Sequence, residues 1–392
     1  MKIVQINAVC GSGSTGKICA AVSDILSAKG IENYILYGSG SSSHPAGVKY
    51  ASVGKAASAA ARLSGNWGFE GRAATEKLLA QLDRIQPDVV HLHNLHQHGC
   101  HLGMLFDWLR RHQTKVFWTF HDCWAFTGYC TYFDSCDCSK WQTRCTDCPQ
   151  RRTYSQFFDR SARWFDLKKA LFEQTEITVV TPSQWLKNVF LQSPMSGGHP
   201  VRVINNGIDL GVFSPAEEDV LREYHDQGKY IVLGVAAGWE DRKGLRDFLS
   251  LSERLDDRFL IVLAGDTKTE LPSKDNMLAV GRTDTAVALA RLYSAADVFV
   301  NPTREDNFPT VNIEALACGT PVLTYPTGGS PEIIDATCGN VVPRGDVQAL
   351  AAEIERVCVN QPYAAEACVH RAARYDQHKK FQEYVSLYKS LL

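Results

Sequence analysis

The chain has 392 residues and a formal net charge of −2, and 45% of its residues are hydrophobic and 21% charged. This composition is typical of a globular protein, and the length allows two domains of ordinary size. The balanced charge gives no indication of a nucleic-acid partner, and no apolar run reaches the roughly 20 residues that cross a bilayer.

The first residues, MKIVQINAV, predict a buried strand rather than the apolar segment of a signal peptide. The chain also has 13 cysteines. In a protein without a secretory signal, cysteines are more often thiols or metal ligands than disulfides. We therefore expect a cytoplasmic protein.

A glycine-rich turn, CGSGSTGK, follows this strand and leads into a helix. Gly11-x4-Gly16-Lys17 matches a phosphate-binding P-loop except that Ile18 replaces the Ser or Thr that would hold Mg²⁺. The first strand-to-helix turn of a doubly wound sheet lies where ligands bind, so we predict that Gly13 and Gly16 contact a substrate at an interdomain cleft. A plain tight turn is one alternative, and a P-loop kinase or ATPase is another.

Polar residues follow two further predicted strands. Asn94 and His96 come at the end of the strand DVVHLHNLH, and His121 comes directly after the strand KVFWTF. Sites in α/β proteins lie at the carboxyl ends of strands, which makes these residues candidates. His91 and His93 lie inside their strand, where histidines are more often hydrogen-bonded core groups than ligands.

Five cysteines lie close together and predict a structural zinc site: Cys130, Cys136, Cys138, Cys145 and Cys148. Their spacing ends in C-x2-C, which is typical of zinc ligands, and four thiolates would order an otherwise long polar loop. Either Cys136 or Cys138 could be the second ligand. Free thiols or a labile disulfide are the alternatives. A zinc ribbon that binds nucleic acid is disfavoured because no basic stripe surrounds the segment.

A second series of strands and helices begins at Tyr230, after the segment Asn205–Asp209. Arg242 and Lys243 follow its first strand, where two cations would suit a phosphate, although an ordinary exposed loop is the alternative. Arg282 follows a later strand and is a candidate for lining the pocket of a base.

Residues 298–332 form the most informative stretch of the chain: a strand, a polar turn, a helix opening at Pro309, a second strand and a Gly-Gly turn. We predict that Asn307 caps the helix, whose free N–H groups would favour an anion such as a diphosphate. Asp306 lies in the polar turn and Glu314 lies two turns into the helix. Amides that bind phosphate, beside carboxylates that bind hydroxyl groups, suit a sugar nucleotide.

The pattern Asp306-x7-Glu314, followed by GTPV and the Gly-Gly turn, resembles the E-x7-E signature of retaining glycosyltransferases of the family 4-like group. The HDCW segment and its cysteines are similar to those of colanic-acid and exopolysaccharide-type glycosyltransferases. Two positions depart from the pattern, since Asp306 replaces a glutamate and Pro309 stands where many relatives have glycine.

The resemblance implies an α/β fold of two Rossmann-like doubly wound domains facing a cleft, known as GT-B. We expect an N-terminal acceptor domain at residues 1–204 with a cysteine-rich insertion at 123–149, and a nucleotide-sugar domain at 205–375. A C-terminal helix, residues 376–392, is expected to return to the first domain.

The resemblance also implies roles for individual residues. His121, Lys243, Asp306 and Glu314 are the expected catalytic residues. The residues expected to bind a UDP- or GDP-sugar donor are Gly13, Gly16, Arg242, Arg282, Asn307, Phe308, Thr310, Gly328 and Gly329. The resemblance assigns the acceptor and lipid headgroups to residues 54–72, whose basic and aromatic residues are Lys55, Arg62, Trp67, Phe69 and Arg72, although an ordinary surface loop and helix is the alternative.

We therefore expect a retaining hexosyltransferase with no catalytic metal and no nucleic-acid partner. Its acceptor would be a saccharide or a lipid-linked oligosaccharide in bacterial surface polysaccharide synthesis, with peripheral contact to the inner face of the plasma membrane. One alternative is a sugar-nucleotide epimerase of the same fold, which would not release nucleotide diphosphate. The other is a zinc-stabilised binding module without catalytic activity.

Overall fold

The structure is a computed structural model that describes residues 1–51, 54–66, 69–96, 100–267 and 274–390. The chain forms two compact units, the first made of residues 1–205 and 378–392 and the second of residues 206–377. Trp67 and the side chain of Lys55, which were named above as candidates, lie outside the described residues.

The first unit is built on a parallel sheet of seven strands. They are β1 (Lys2–Asn7), β2 (Glu32–Tyr37), β3 (Gly47–Lys49), β4 (Val89–Leu92), β5 (Lys115–Thr119), β6 (Ile177–Thr181) and β7 (Val201–Val203). Their order in the sheet is β3-β2-β1-β4-β5-β6-β7. The order reverses between β1 and β4, which is the place where doubly wound sheets bind ligands.

The helices of this unit connect the strands along the chain and cover the sheet. They are α1 (Gly13–Ala28), α2 (Lys55–Ser64), α3 (Arg72–Ile85), α4 (Leu102–His112), α5 (Arg151–Tyr154), α6 (Ser161–Gln174) and α7 (Gln184–Leu191). Strands β4 and β6 are buried along their whole length, as expected for parallel strands covered on both faces. Short 3₁₀ turns carry the cysteine-rich segment, at Trp124–Phe126, Asp134–Cys136 and Lys140–Gln142.

The second unit is built on a parallel sheet of six strands. They are β8 (Tyr230–Trp239), β9 (Phe259–Thr267), β10 (Met277–Gly281), β11 (Val298–Asn301), β12 (Val322–Thr324) and β13 (Gly339–Val341). Their order is β10-β9-β8-β11-β12-β13, which reverses between β8 and β11. The loops after these two strands therefore flank the point where a ligand is expected.

The helices of the second unit are α8 (Arg222–His225), α9 (Leu245–Leu251), α10 (Ala286–Ser294), α11 (Thr310–Ala317), α12 (Ser330–Ile333), α13 (Val347–Asn360) and α14 (Ala365–Ala372). The last helix, α15 (Gln377–Lys389), packs in the first unit from His378 onward. In the part of the chain that the structure describes, no helix is both long and apolar enough to cross a membrane.

The start of α11 differs from the prediction that Asn307 caps it. The helix begins at Thr310, and Pro309 occupies the N-cap position without a side-chain hydrogen bond to the helix. Asn307 is buried instead, and its carbonyl accepts a hydrogen bond of 2.6 Å from the N–H of Gly329. The capping prediction was wrong because Asn307 lies too far before the helix and joins two turns.

The start of α1 disfavours the P-loop alternative. The helix begins at Gly13, so Gly16 and Lys17 lie inside it rather than in an extended phosphate-binding loop. Gly16 is buried against the preceding turn, and a Cβ atom there would lie 3.1 Å from Cγ2 of Val9. Its small size is therefore explained by packing.

The interior of the first unit contains a hydrogen-bonded histidine that ties α15 to the sheet. Nδ1 of His91 lies 2.6 Å from the hydroxyl of Tyr388, and Nε2 lies 2.8 Å from the hydroxyl of Thr119. Burial lowers the pKa of His91 to about 3, so the ring is neutral at ordinary pH. His91 is therefore a satisfied core group.

Candidate functional site

An ion pair links the loops that follow β8 and β11 in the second unit. Nζ of Lys243 lies 2.6 Å from Oδ2 of Asp306, and both side chains are partly exposed. Arg242 donates from Nη1 to the carbonyl of Glu305 at 3.2 Å. Two cations therefore lie at the carboxyl edge of the sheet, one of them beside a carboxylate.

The turn after β12 approaches the turn after β11 unusually closely. Gly328 has φ of +56°, and a Cβ atom there would lie 2.0 Å from the carbonyl oxygen of Asp306. Thr327 donates from its hydroxyl to the carbonyl of Thr303 at 2.8 Å, next to the bond from Gly329 to Asn307. Only glycine fits at Gly328, and the contact fixes the backbone that carries Asp306.

Glu314 lies on α11 and is held by a residue that the sequence did not indicate. The hydroxyl of Tyr293, on α10, donates to Oε2 of Glu314 at 3.1 Å. Burial, followed by the nearby Glu314 carboxylate, raises the pKa of Tyr293 well above its usual value, so its hydroxyl keeps its proton. The partly exposed carboxylate of Glu314 is thereby oriented.

The same edge of the second sheet contains buried polar atoms without a hydrogen-bond partner in the described part of the chain. They include Oε1 of Glu305, Nδ2 of Asn312 and Oγ of Ser330. Leaving a buried polar atom unpaired is costly, and such atoms concentrate where structure serves a purpose other than stability.

Three further candidates in this unit are placed differently from the ion pair. Arg282 is exposed at the end of the edge strand β10, which β9 separates from β8. The ring of Phe308 is buried in the apolar core, 5.6 Å from that of Tyr375, so only its backbone could face a ligand. Thr310 is the first residue of α11 and is partly exposed.

His121 follows β5 in the first unit, and it lies beside another histidine. Its Nε2 is 3.1 Å from Nδ1 of His93. Burial is the main reason that the pKa of His121 falls to about 4, which makes the ring neutral at ordinary pH. The next residue, Asp122, lies 2.8 Å from Nε2 of His96 and accepts a hydrogen bond from the N–H of Trp124.

The ends of β1 and β4 meet at this edge of the first sheet. The N–H of Asn94 donates to Oδ1 of Asn7 at 3.0 Å, and the amide of Asn7 donates to the hydroxyl of Thr15 in the first turns of α1. Gly13 opens that helix. The structure thus brings the start of α1 and the end of β4 to one polar edge.

The five cysteines of the predicted zinc site line a single cavity of about 10 Å³. The thiol of Cys145 accepts a hydrogen bond from the N–H of Gly128, and that of Cys136 accepts one from the Gln150 amide. Among the described residues, however, no group of three or more His, Cys, Asp or Glu side chains could hold a metal ion. Zinc binding by this segment therefore stays a prediction, and in the structure these cysteines pack the loop against the aromatic core.

Two family models match the chain. Residues 17–212, half of the chain, match the model described as "Glycosyltransferase Family 4", and residues 229–360 match "Glycosyl transferases group 1". The chain is 27% identical over 331 residues to the putative colanic acid biosynthesis glycosyl transferase WcaC of Escherichia coli (strain K12), covering 78% of this chain and 77% of that protein. It is also 23% identical over 249 residues to the capsular polysaccharide biosynthesis glycosyltransferase CapM of Staphylococcus aureus, covering 57% and 64%.

Solved structures share the architecture of both units. Sucrose-phosphate synthase from Thermosynechococcus elongatus superposes with a TM-score of 0.72 at 19% identity, covering 100% of this chain and 98% of that one. HepE from Anabaena in complex with UDP-glucose superposes with a TM-score of 0.70 at 16% identity, covering 100% of both chains. These similarities and the two parallel sheets confirm the predicted GT-B fold.

Replacing Gly328 by Ala tests whether the close contact of the two turns carries the site. Alanine at this position would have to adopt a positive φ, which destabilises the fold by about 1–2 kcal/mol, and its Cβ atom would also force the Asp306 carbonyl away. Gly228→Ala is the matched control, because Gly228 has φ of +75° but open space around it. We expect Gly328→Ala to lower the free energy of unfolding by clearly more than the control does in urea titrations. Equal losses would contradict the contact.

Proposed function

We propose that this chain, which belongs to glycosyltransferase family 4, transfers a sugar from a UDP-sugar to a saccharide acceptor in bacterial surface polysaccharide synthesis. The observation that carries the proposal is the cluster of Lys243, Asp306 and Glu314 at the carboxyl edge of the second sheet. UDP is favoured as the donor nucleotide because HepE was solved with UDP and with UDP-glucose. The acceptor class follows the names of the similar proteins WcaC and CapM.

The chemistry needs positive charge at the departing diphosphate, where negative charge grows during transfer. Lys243 supplies that charge in the proposal, and Arg242 supplements it from the same turn. The backbone amide of Gly328 and the first amides of α11, at Thr310, complete the phosphate site, whereas the N–H of Gly329 is bonded to the Asn307 carbonyl.

The carboxylates bind hydroxyl groups in the proposal. Glu314 accepts hydrogen bonds from the ribose, and Asp306 accepts them from the transferred sugar. The ion pair holds Asp306 in place before the donor arrives, and Tyr293 does the same for Glu314. Binding groups that are oriented in advance lose less freedom when the ligand binds.

The proposed reaction retains the configuration of the transferred sugar, with His121 as a hydrogen-bonding partner of a sugar hydroxyl. We propose that no divalent cation takes part, because Arg242 and Lys243 take its place at the diphosphate. Release of UDP together with a new glycoside distinguishes this reaction from epimerisation, which leaves the nucleotide sugar intact.

We further propose that the acceptor is lipid-linked and that the first unit touches the inner face of the plasma membrane. Leu63, Phe157 and Phe158 are large apolar residues that are 48%, 63% and 57% exposed. The N–H of Gln156 donates to the carbonyl of Arg62, so the end of α2 and the segment after α5 lie side by side.

Five arginines lie in the same two segments as these exposed apolar residues. Together with Leu63, Phe157 and Phe158, Arg62, Arg151, Arg152, Arg160 and Arg163 form what we call the arginine–phenylalanine surface. Arg160 lies over the ring of Phe158 at 5.9 Å, which places charge beside apolar surface. Such a combination fits anionic headgroups above an apolar layer. Asp159 is the acid within this stretch, and it is engaged with the N–H groups of Cys148 and Ser161.

Lys243→Met tests the catalytic role of the cation. We expect kcat to fall by about 100- to 1,000-fold, because the charge at the leaving diphosphate is lost. The assay measures UDP released from UDP-glucose and other UDP-sugars with a lipid-linked saccharide acceptor, and NMR of the product gives its anomeric configuration.

The control for that experiment is Lys229→Met, which removes a surface lysine of the same unit whose ammonium donates to the Asp257 carbonyl. A variant Lys243→Met that turns over like wild type would contradict the assignment. A product of inverted configuration would contradict the retaining mechanism.

Replacing both Phe157 and Phe158 by Ser tests the arginine–phenylalanine surface. Wild type should sediment with vesicles of phosphatidylglycerol and phosphatidylcholine but not with phosphatidylcholine alone, and the variant should bind at least about tenfold more weakly. The control replaces two exposed apolar residues of the second unit, Val287 and Val359, by Ser. If both variants bind the anionic vesicles like wild type, the surface is not the membrane contact.

A further inference from the structure

A chain of buried polar groups leads from the backbone of α1 to His121. Nε2 of Gln5 donates to the carbonyl of Cys19 at 3.0 Å, and Oε1 of Gln5 lies 3.1 Å from Nε2 of His93. Nδ1 of His93 in turn lies 3.1 Å from Nε2 of His121. Gln5 is 0% and His93 is 2% exposed, so water does not compete for these bonds.

The direction of every hydrogen bond in this chain follows from its first member. A backbone carbonyl can only accept, so the Gln5 amide must turn its NH₂ group toward Cys19 and its oxygen toward His93. That oxygen can also only accept. Nε2 of His93 must therefore carry a proton and donate it to Gln5.

Each of the two histidine rings carries a single proton at neutral pH. Burial lowers the pKa of His93 well below its usual value, with the neighbouring His91 and His121 acting in the same direction. The pKa of His121 is lowered in the same way, mainly by burial. Because the one proton of His93 is on Nε2, its Nδ1 must accept, and the one proton of His121 is on its Nε2.

We propose that Gln5 and His93 are positioning residues that lock His121 in its Nε2–H tautomer, so that the ring meets the substrate as a hydrogen-bond acceptor. The single ring proton of His121 lies on Nε2 and is donated to His93. Any hydrogen bond that Nδ1 of His121 makes is therefore one that it accepts. A sugar hydroxyl fits this polarity as a donor. The role in turnover rests on the proposed glycosyltransferase function, whereas the tautomer itself does not.

The residues of this hydrogen-bonded chain are not conspicuous in the sequence. Gln5 is a polar residue between the apolar residues Val4 and Ile6 of strand β1, and it lies in register with His91 of β4. His93 lies two residues beyond His91 and closes the chain toward His121. Cys19 takes part in the chain through its backbone carbonyl, so the type of its side chain does not indicate this role.

The tautomer can be observed directly in protein labelled with ¹⁵N at histidine. Two-dimensional NMR distinguishes a protonated from an unprotonated ring nitrogen, and the His121 signals are assigned by their loss in His121→Asn. We expect His121 of wild type to be protonated at Nε2 and not at Nδ1. A proton on Nδ1, or on both nitrogens at pH 7, would overturn the proposal.

Variants of the two positioning residues complete the test. His93→Leu removes the acceptor, and we expect loss of the single Nε2–H state and a fall in kcat of at least about tenfold, with the KM for the donor changed less. His93→Asn restores an acceptor and should recover part of both losses. Gln5→Met should disturb the tautomer in the same way if His93→Leu does not fold, and His112→Asn, at a remote surface histidine, should leave it unchanged.

The outcomes distinguish the positioning role of Gln5 and His93 from the proposed glycosyltransferase function. An unchanged His121 tautomer in folded His93→Leu or Gln5→Met would overturn the positioning role whatever the activity. The expected tautomer changes in a protein that turns over no nucleotide sugar would support the positioning role and count against the proposed function.

Discussion

The candidate site depends on the contact between the turns that follow β11 and β12. At Gly328 the two backbones are so close that a single added carbon would lie 2.0 Å from the Asp306 carbonyl. The N–H of Gly329 holds Asn307, and the turn so fixed directs Asp306 at Lys243. A backbone constraint thus sets the position of a charged pair, which a flexible side chain alone could not do.

The first unit also holds candidate functional groups in fixed positions, but it does so with buried hydrogen bonds of side chains. There a buried carbonyl, an amide and two imidazoles are arranged so that each bond has only one direction. Burial is what makes this work, since it keeps both rings neutral and excludes water from Gln5 and His93. In both units the fixed groups lie at or next to the point where the strand order reverses, so ordinary α/β topology explains the location and local contacts explain the chemistry.

Much of this could be predicted from the sequence, because strands, glycine turns and the Asp306-x7-Glu314 spacing are local patterns. The GT-B fold and the family followed from them. The contacts that orient the site were not predictable, because they join residues far apart in the chain: Tyr293 with Glu314, and Gln5 with His93. The Asn307 cap was wrong because the helix begins at Thr310, which places Pro309 rather than Asn307 at the N-cap position. The cysteine spacing correctly brought the five thiols to one cavity, but spacing does not contain the side-chain geometry that a metal needs, so zinc binding stays a prediction.

Titrating UDP and GDP into wild type and Glu314→Ala by calorimetry tests most directly that the second unit binds the donor nucleotide. We expect wild type to bind UDP more tightly than GDP and Glu314→Ala to weaken UDP binding at least about tenfold, a loss of about 1.4 kcal/mol. Equal UDP affinity in both proteins, or no nucleotide binding by folded wild type, would contradict this expectation.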